Sequence, residues 1–278
     1  MKGVAPRTVL RLGGREGATR AIDRVTVEEP LEIRIAGEPL LTTLRTPGDD
    51  HALALGLLHA EGVIRSVADV GTVVHCGRPG DPGWGNVIDV RPGPGVSLDA
   101  ERIRGARRST LMTGACGICG RASIDELLAR VDPLPVVAGS VPRERVVEAV
   151  ERLGESQRGF AATGGSHAAA VWSTDGRLLS TAEDVGRHNA VDKVVGLLLR
   201  DGLLPPRPGF ASPALLVVSG RVGFEIVQKA TVARIGVVAG IGATTTLAID
   251  LAERAGLTLC AFVRHGRCNV HSHPERLA

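Results

Sequence analysis

The sequence predicts an α/β protein in which a smaller strand-rich N-terminal domain precedes a three-layer α/β domain. Three observations predict it. The first third falls into strand-length runs punctuated by Gly and Pro, the second half alternates strand and helix patterns, and DPLP at 132 to 135 interrupts both. The domains are therefore expected at 1–134 and 135–278.

Taken in order, LEIRIAGEPLLTTLRTPG holds two strands, broken at Ala36-Gly37 and closed at Pro47-Gly48. A helix follows, capped by Asp49 or Asp50, with Ala52, Leu53, Leu55, Leu57 and Leu58 as its apolar face through His59. GTVVHCG and NVIDVR read as a strand pair around the loop RPGDPGWG, and RPGPGVSLD as punctuation. SIDELLARV makes a short helix that stops before DPLP, and PRERVVEAVERLGE is an amphipathic helix. Beyond it, AAAVWS and RLLSTA are strands, RHNAVDKVVGLLLR is a helix and ALLVVSG a strand. GFEIVQKATVAR is a helix, residues 235 to 238 an apolar strand, TTTLAIDLAERAG a helix and LTLCAFV the last strand.

A chain of 278 residues that is 44% hydrophobic can fill a sizeable core. A formal charge of +3 is not the mark of a general nucleic-acid binder. MKGVAPRTVLRL lacks the apolar run of a signal peptide, and no stretch approaches the ~20 apolar residues that span a bilayer. The expected place is the cytoplasm, with neither membrane nor nucleic acid as partner. Five cysteines, an odd number in a reducing compartment, argue against a disulfide framework. Of 33 basic residues only Lys2, Lys193 and Lys229 are lysines, an arginine bias of the kind a GC-rich genome produces. Both internal lysines fall in motif-like stretches, where an ammonium is wanted. Tyrosine is absent, so none serves as acid, base or stacking platform.

The segment TGACGICG, residues 113 to 120, carries Cys116 and Cys119. A CxxC supplies half of a structural zinc site, and Cys76, Cys260 and Cys268 form no second one. A thioredoxin-like pair should follow a strand and open a helix. Glycines on nearly every side favour a flexible loop instead, which suits a thiolate that meets a sulfur donor and then an acceptor. Cys76, Cys260 and Cys268 read as small core or bystander residues.

STAEDVGRHNAVDK, residues 180 to 193, crowds Glu183, Asp184, Arg187, His188, Asn189, Asp192 and Lys193 at a strand end, where α/β proteins place their sites. Helical spacing puts His188 and Asp192 on one face, and Asn189 and Lys193 on the adjoining one. The plainer alternative is a solvated helix start with ordinary ion pairs. SGRVGFEIVQKA repeats strand, Gly turn and helix, so Ser219, Gly220 and Arg221 can present N–H groups and a guanidinium to a phosphate. Glu225 and Lys229 are spaced for an intrahelical pair. In FAATGGSHAAA, Gly164 and Gly165 allow a ligand close to the backbone, and His167 is either a ligand contact or a satisfied core residue. FVRHGRCNVHSHPER offers Arg264, His265, Arg267, His271, His273 and Arg276, as a solvated tail or as a hold on phosphate or purine.

Together, TGACGICG, TAEDVGRHNAVDK, SGRVGFEIVQKA, TGGSHAA, LRTPGDD followed by LALGLLHAEGVI, and NVHSHPER resemble the formate dehydrogenase accessory protein FdhD family, in order and over nearly the whole chain. The resemblance implies a cytidine deaminase-like α/β domain behind the smaller N-terminal one. It implies a sulfur carrier that takes persulfide sulfur from a cysteine desulfurase. The sulfur would go to bis-molybdopterin guanine dinucleotide, the molybdenum or tungsten cofactor, for the formate dehydrogenase apoenzyme. By the same resemblance Cys116 is the persulfide residue, Cys119 its helper, and Phe262, Val263, Arg264, His265, Gly266 and Arg267 form the cofactor-binding stretch. Arg221, with Arg264 and Arg267, suits the pyrophosphates, and a homodimer would match the two nucleotide arms. Asp184, Arg187, His188, Asn189, Asp192 and Lys193 are assigned to ligand recognition or to orienting the loop. No resident metal or permanently bound cofactor is expected. The chain departs from the family at Arg121 (lysine expected), Gly223 (serine) and His271 (tyrosine). A zinc-dependent deaminase-like hydrolase and a cofactor-binding chaperone without sulfur transfer are the rival readings. Zinc deaminases need an H-x-E and a P-C-x-x-C, and Ala115 stands where that proline belongs.

Overall fold

The computed structural model describes residues 3–13, 17–81, 83–111, 133–137, 139–206 and 212–278, with the side chains of 107–111 left aside. A two-stranded ribbon comes first, β1 (Val4–Leu12) antiparallel to β2 (Ala18–Thr26). Next, β3 (Glu29–Ile35), β4 (Glu38–Arg45), β5 (Val70–His75) and β6 (Val87–Pro92) form a sheet of order β4-β3-β6-β5. Helix α1 (Asp50–Ala60) connects β4 to β5, and α2 (Ala100–Leu111) leads in sequence towards TGACGICG. The ribbon and α2 went unpredicted, and SIDELLARV lies outside the described residues.

The second half contains α3 (Arg143–Ser156), α4 (Arg158–Thr163), β7 (His167–Ser173), β8 (Leu178–Asp184), α5 (Arg187–Arg200) and β9 (Pro213–Val218). It continues with α6 (Phe224–Val232), β10 (Val237–Gly240), α7 (Thr246–Ala255), β11 (Thr258–Arg264) and β12 (Arg267–Ser272). The strands join in the order β12-β11-β10-β9-β7-β8, with β9, β10 and β11 parallel. Apolar residues alternate between the two faces of this sheet. Leu216, Val218, Val238 and Leu259 meet α5, α6 and α7, while Leu215, Val217, Val237, Ala239 and Cys260 meet Val146, Ala149, Val150 and Leu153 of α3. The predicted three layers are therefore present. No helix among the described residues is long and apolar enough to cross a membrane.

The same apolar cluster that fills the α5 side continues through α1 into Leu31, Ile33, Ile88 and Val90 of the first sheet. Its centre is the crossing of α1 on α5. A Cβ on Gly56 would stand 1.8 Å from the Asp192 carbonyl oxygen, and one on Gly196 would stand 1.8 Å from that of Ala52. The helices thus touch backbone to backbone, which fixes the height of α5 above its sheet. Leu134, within the expected boundary, is buried, and its N–H donates to the Ala255 carbonyl at 2.7 Å.

Candidate functional site

Chain direction gathers the polar residues at one sheet end. β7 runs antiparallel to β8 and β9, so its first residue, His167, pairs with the last of β8, Asp184. The segment Ser219-Gly220-Arg221, which leaves β9, comes out beside His167: Ser219 Oγ lies 3.5 Å from His167 Nδ1 and accepts the Ala168 N–H at 2.9 Å. Gly220 leaves little room for a side chain. A Cβ there would lie 3.2 Å from His167 Nδ1 and 3.6 Å from Arg187 Cδ. Burial first, then the Arg187 and Arg221 guanidiniums, hold the His167 imidazole below its usual range. Arg187 Nε is buried with no hydrogen-bond partner among the described residues, and Arg221 is exposed.

The next two strand ends stack on this one. Gly242 donates its N–H to the Gly220 carbonyl at 3.2 Å and accepts the Phe262 N–H at 3.0 Å. Phe262 has φ +53°, and it stands with Val263 opposite the single residue Cys268 in a β-bulge between the pairs Ala261–Asn269 and Arg264–Arg267. Left-handed backbone at an aromatic residue costs about 1–3 kcal/mol, and such residues cluster at functional sites. Here the bulge turns Phe262 outward, 40% exposed, while Val263 is fully buried. The Arg264 guanidinium carbon lies 5.8 Å from the Phe262 ring centroid, a cation–π contact. His265 (φ +51°) and Gly266 (φ +72°) turn the chain into β12, leaving Arg264, His265, Gly266 and Arg267 exposed. Of the predicted stretch, the Val263 side chain belongs to the core.

Behind this rim lies a buried frame. Asp184 accepts from Gly186 N–H at 2.8 Å, Thr46 N–H at 3.1 Å and Asn189 Nδ2 at 3.1 Å, and pairs with Lys193 Nζ at 2.8 Å. Lys193 also donates to the carbonyls of Thr46 and Glu183, and Asn189 Nδ2 to that of Leu44. Asn189 and Lys193 thus share a face, as their spacing predicts, and that face holds the turn after β4. The adjoining face carries His188 and Asp192 towards α6. There the local pairing is corrected: Lys229 reaches across to Asp192 Oδ1 at 2.6 Å, and Glu225 faces His188 Nε2 at 3.7 Å. Burial outweighs the Lys229 ammonium and pushes the Asp192 carboxyl up to about 6. Burial, then Lys229 and Arg187, brings His188 down to about 4. The side chains of Asp184, Asn189, Asp192 and Lys193 are committed inside the protein, whereas Arg187, His188, His167 and Arg221 form the reachable rim.

Other expectations resolve differently. Gly164 ends α4 in the left-handed conformation, and Gly165 packs on Thr26, whose hydroxyl lies 2.7 Å from that of Thr163. Glu183 binds the N–H groups of Gly159 and Phe160, so it anchors the start of α4. Asp49 precedes α1 without a side-chain cap, and Asp50 instead pairs with buried Arg45 at 3.0 Å. Arg276 is buried against the carbonyls of Pro135 and Gly256, and His273 meets Glu275 and the Glu253 carbonyl, so neither is offered to a phosphate. Two H-x-E triplets occur, His59-Ala60-Glu61 and His273-Pro274-Glu275. His59 is buried in α1, and His273 belongs to the C-terminal turn just described. Cys116, Cys119 and Arg121 lie outside the described residues, as do the side chains of Arg107 and Arg108, which with Arg121 are the arginines nearest the cysteines in sequence. Sequence reasoning missed Gly242, which matters through backbone contacts, and the part played by Thr46 of LRTPGDD, whose N–H donates to Asp184 while its carbonyl accepts from Lys193 and its hydroxyl from the Val185 N–H.

The sequence profile of the FdhD/NarQ family matches residues 26–278. The chain belongs to the FdhD/NarQ family. Among its relatives is the sulfur carrier protein FdhD of Anaeromyxobacter dehalogenans strain 2CP-C, 57% identical over 276 residues, covering 99% of this chain and 93% of the relative. The protein of the same name from Streptomyces coelicolor is 43% identical over 279 residues, covering 98% and 95%. A crystal structure described as a formate dehydrogenase accessory protein from Desulfotalea psychrophila superposes with a TM-score of 0.75, 22% identity and 99% coverage of both chains. That likeness establishes a shared fold. Within the FdhD/NarQ family, this chain combines a basic rim at the carboxyl ends of its parallel strands with a buried frame that ties the rim to the N-terminal sheet.

Proposed function

We propose that this chain is a sulfur carrier for formate dehydrogenase maturation, taking sulfane sulfur from a cysteine desulfurase and delivering it to bis-molybdopterin guanine dinucleotide. The observation that carries the acceptor side is the convergence of Arg187 and Arg221 on His167 around the bare backbone of Gly220. Two guanidiniums beside an imidazole repel one another until an anion sits between them, and a pyrophosphate accepts their donors bidentately. The unpartnered Arg187 Nε supplies a further buried donor. On the neighbouring strand end, exposed Phe262 and Arg264 offer a ring and a cation to a flat base. The molybdenum or tungsten centre is cargo in this reading.

Family membership and the names of the relatives support the donor side. The Cys116 thiolate attacks the outer sulfur of the desulfurase persulfide. The S–S bond breaks, the desulfurase thiolate leaves, and Cys116 holds the persulfide, with Cys119 as its helper. Arg107, Arg108 and Arg121, close in sequence, favour the thiolate. The formate dehydrogenase apoenzyme is the client, and a homodimer would present two rims to the two arms of the cofactor.

Peptide mass spectrometry after incubation with a cysteine desulfurase and cysteine, without reductant, tests the donor side. One added sulfur atom on the TGACGICG peptide, absent from Cys116→Ser, is expected. Activation of the client by a Cys116→Ser, Cys119→Ser variant would instead indicate a chaperone without sulfur chemistry. Stoichiometric zinc that is lost in Cys116→Ser would indicate a hydrolase.

A further inference from the structure

The ribbon of β1 and β2 belongs to no larger sheet, and each strand runs for nine residues, about 27 Å. Its base is anchored twice. Thr26 meets Thr163 of α4 through their hydroxyls at 2.7 Å, and a Cβ on Gly3, whose carbonyl accepts the Val27 N–H, would stand 2.6 Å from the Thr46 methyl. Thr163 precedes His167 by four residues, and Thr46 holds Asp184 and Lys193, so the ribbon springs from beside the rim.

Register assigns the side chains to faces. Leu10 pairs with Arg20, Leu12 with Ala18, Thr8 with Ile22 and Pro6 with Arg24, so Leu10, Leu12, Ile22, Arg20 and Arg24 share one face. The three aliphatic residues are 59%, 78% and 66% exposed, and both arginines are exposed. Among the described residues of the ribbon the one carboxylate, Asp23, lies on the opposite face, where it pairs with Arg11 at 3.9 Å. A two-stranded ribbon standing alone is marginally stable at best in water, and this one gives large aliphatic groups to solvent beside two cations. Its complement is a surface both apolar and acidic. Lipid matches it poorly, because both long edges of the ribbon are open and hydrocarbon cannot satisfy their backbone N–H and C=O groups, whereas a protein surface can.

We propose that this face docks the formate dehydrogenase apoenzyme, through an apolar patch on the client that is edged with carboxylates. The proposal rests on the carrier reading, under which the client comes to the rim for its cofactor. Leu10, Leu12 and Ile22 enter the patch, while Arg20 and Arg24 pair with its carboxylates and steer the approach. The family profile matches only from residue 26, the last of β2, so the ribbon stands outside the segment on which family membership rests. Docking of the client is thereby separable from sulfur chemistry.

The test uses the full-length protein and purified apoenzyme, with association followed by biolayer interferometry. Arg20→Glu, Arg24→Glu should weaken binding at least tenfold, mainly through the association rate, and added salt should weaken the wild type far more than this variant. Arg20→Lys, Arg24→Lys should retain most of the affinity, since an exposed cation steers by its charge. Leu10→Ser, Ile22→Ser should speed dissociation. All four residues are exposed, so the melting temperature should hold, as should guanosine diphosphate affinity and sulfur loading by the desulfurase. Equal, measurable binding by the wild type and every variant would sink the ribbon proposal alone, whereas a wild type that binds no apoenzyme would take the carrier reading down with it. A dimer lost only in the variants would give this face to a second copy, lost sulfur loading would give it to the desulfurase, and lost binding to phosphatidylglycerol vesicles would give it to a membrane. Each of these three results overturns the proposal.

Discussion

Lys193 Nζ lies 2.8 Å from Asp184 Oδ2, and both side chains are almost wholly buried. The other donors and acceptors of the pair are taken up by Thr46, Glu183, Gly186 and Asn189. An ion pair at this depth stands only where the surrounding hydrogen bonds are complete. Thr46, in the turn after β4, supplies its N–H to Asp184 and its carbonyl to Lys193, so the pair joins the N-terminal sheet to the end of β8.

Lys193→Met would strand the Asp184 carboxylate without its counter-charge. Urea unfolding should show a loss of about 3–5 kcal/mol, partly recovered in Asp184→Asn, Lys193→Met. Lys193→Arg should also destabilise, because a planar guanidinium does not fit a site shaped around an ammonium and two carbonyls. A wild-type midpoint for Lys193→Met would refute the role given to the pair.

Gly56→Ala and Gly196→Ala should each destabilise by about 1–3 kcal/mol or more, although Ala favours a helix by ~1 kcal/mol over Gly. The methyl would land on a backbone oxygen 1.8 Å away, so steric conflict outweighs propensity. Gly154→Ala in α3 is the control. A Cβ there meets nothing within 4 Å, and the change should stabilise. Thermal melts of the three variants suffice.

Asp192 and His188 should tilt the stability curve in opposite directions. With its carboxyl raised to about 6, Asp192 binds a proton more readily folded than unfolded, so its contribution falls as pH rises from about 4 to 6, by roughly 3 kcal/mol. His188, lowered to about 4, binds a proton less readily folded, so its contribution is lost as pH falls from about 6.5 to 4. In the wild type these two contributions should therefore largely offset each other across this window. His188→Gln should unmask stability that falls with rising pH, and Asp192→Asn the reverse. Unfolding free energies between pH 4 and 7 decide it, and parallel curves for all three proteins would contradict the assignment.

Arg187→Ala and Arg221→Ala should each weaken binding of guanosine diphosphate about tenfold, ~1.4 kcal/mol, by calorimetric titration. Arg221, being exposed, should leave the melting temperature unchanged. An undiminished affinity in Arg187→Ala would remove the pyrophosphate from this rim.

Much of this was legible because it is local. The spacing of Asn189 with Lys193, and of His188 with Asp192, assigned each pair to its face of α5, and both faces are used that way. Glu225 and Lys229 were read as partners on the same ground, and there locality misled. α5 lies close enough that each finds its partner across the helix pair. The ribbon of β1 and β2 escaped notice because Leu10, Leu12 and Ile22 are exposed among arginines, which blurs the alternation of a half-buried strand. Gly242 acts through backbone atoms, about which side-chain chemistry is silent, and Thr46 adds its N–H and carbonyl to the bond its hydroxyl accepts from Val185.

The crossing at Gly56 and Gly196 also limits what can be cut from this chain. A fragment that keeps α1 but ends before α5 would present to water a helix whose residues from Ala52 to Ala60 are buried, and the complementary fragment would uncover Ala190, Val194 and Leu198. Neither half is a cassette to be lifted out, swapped between relatives or produced alone. A tag or fusion partner belongs where nothing is packed, as at Gly80 in the loop between β5 and β6.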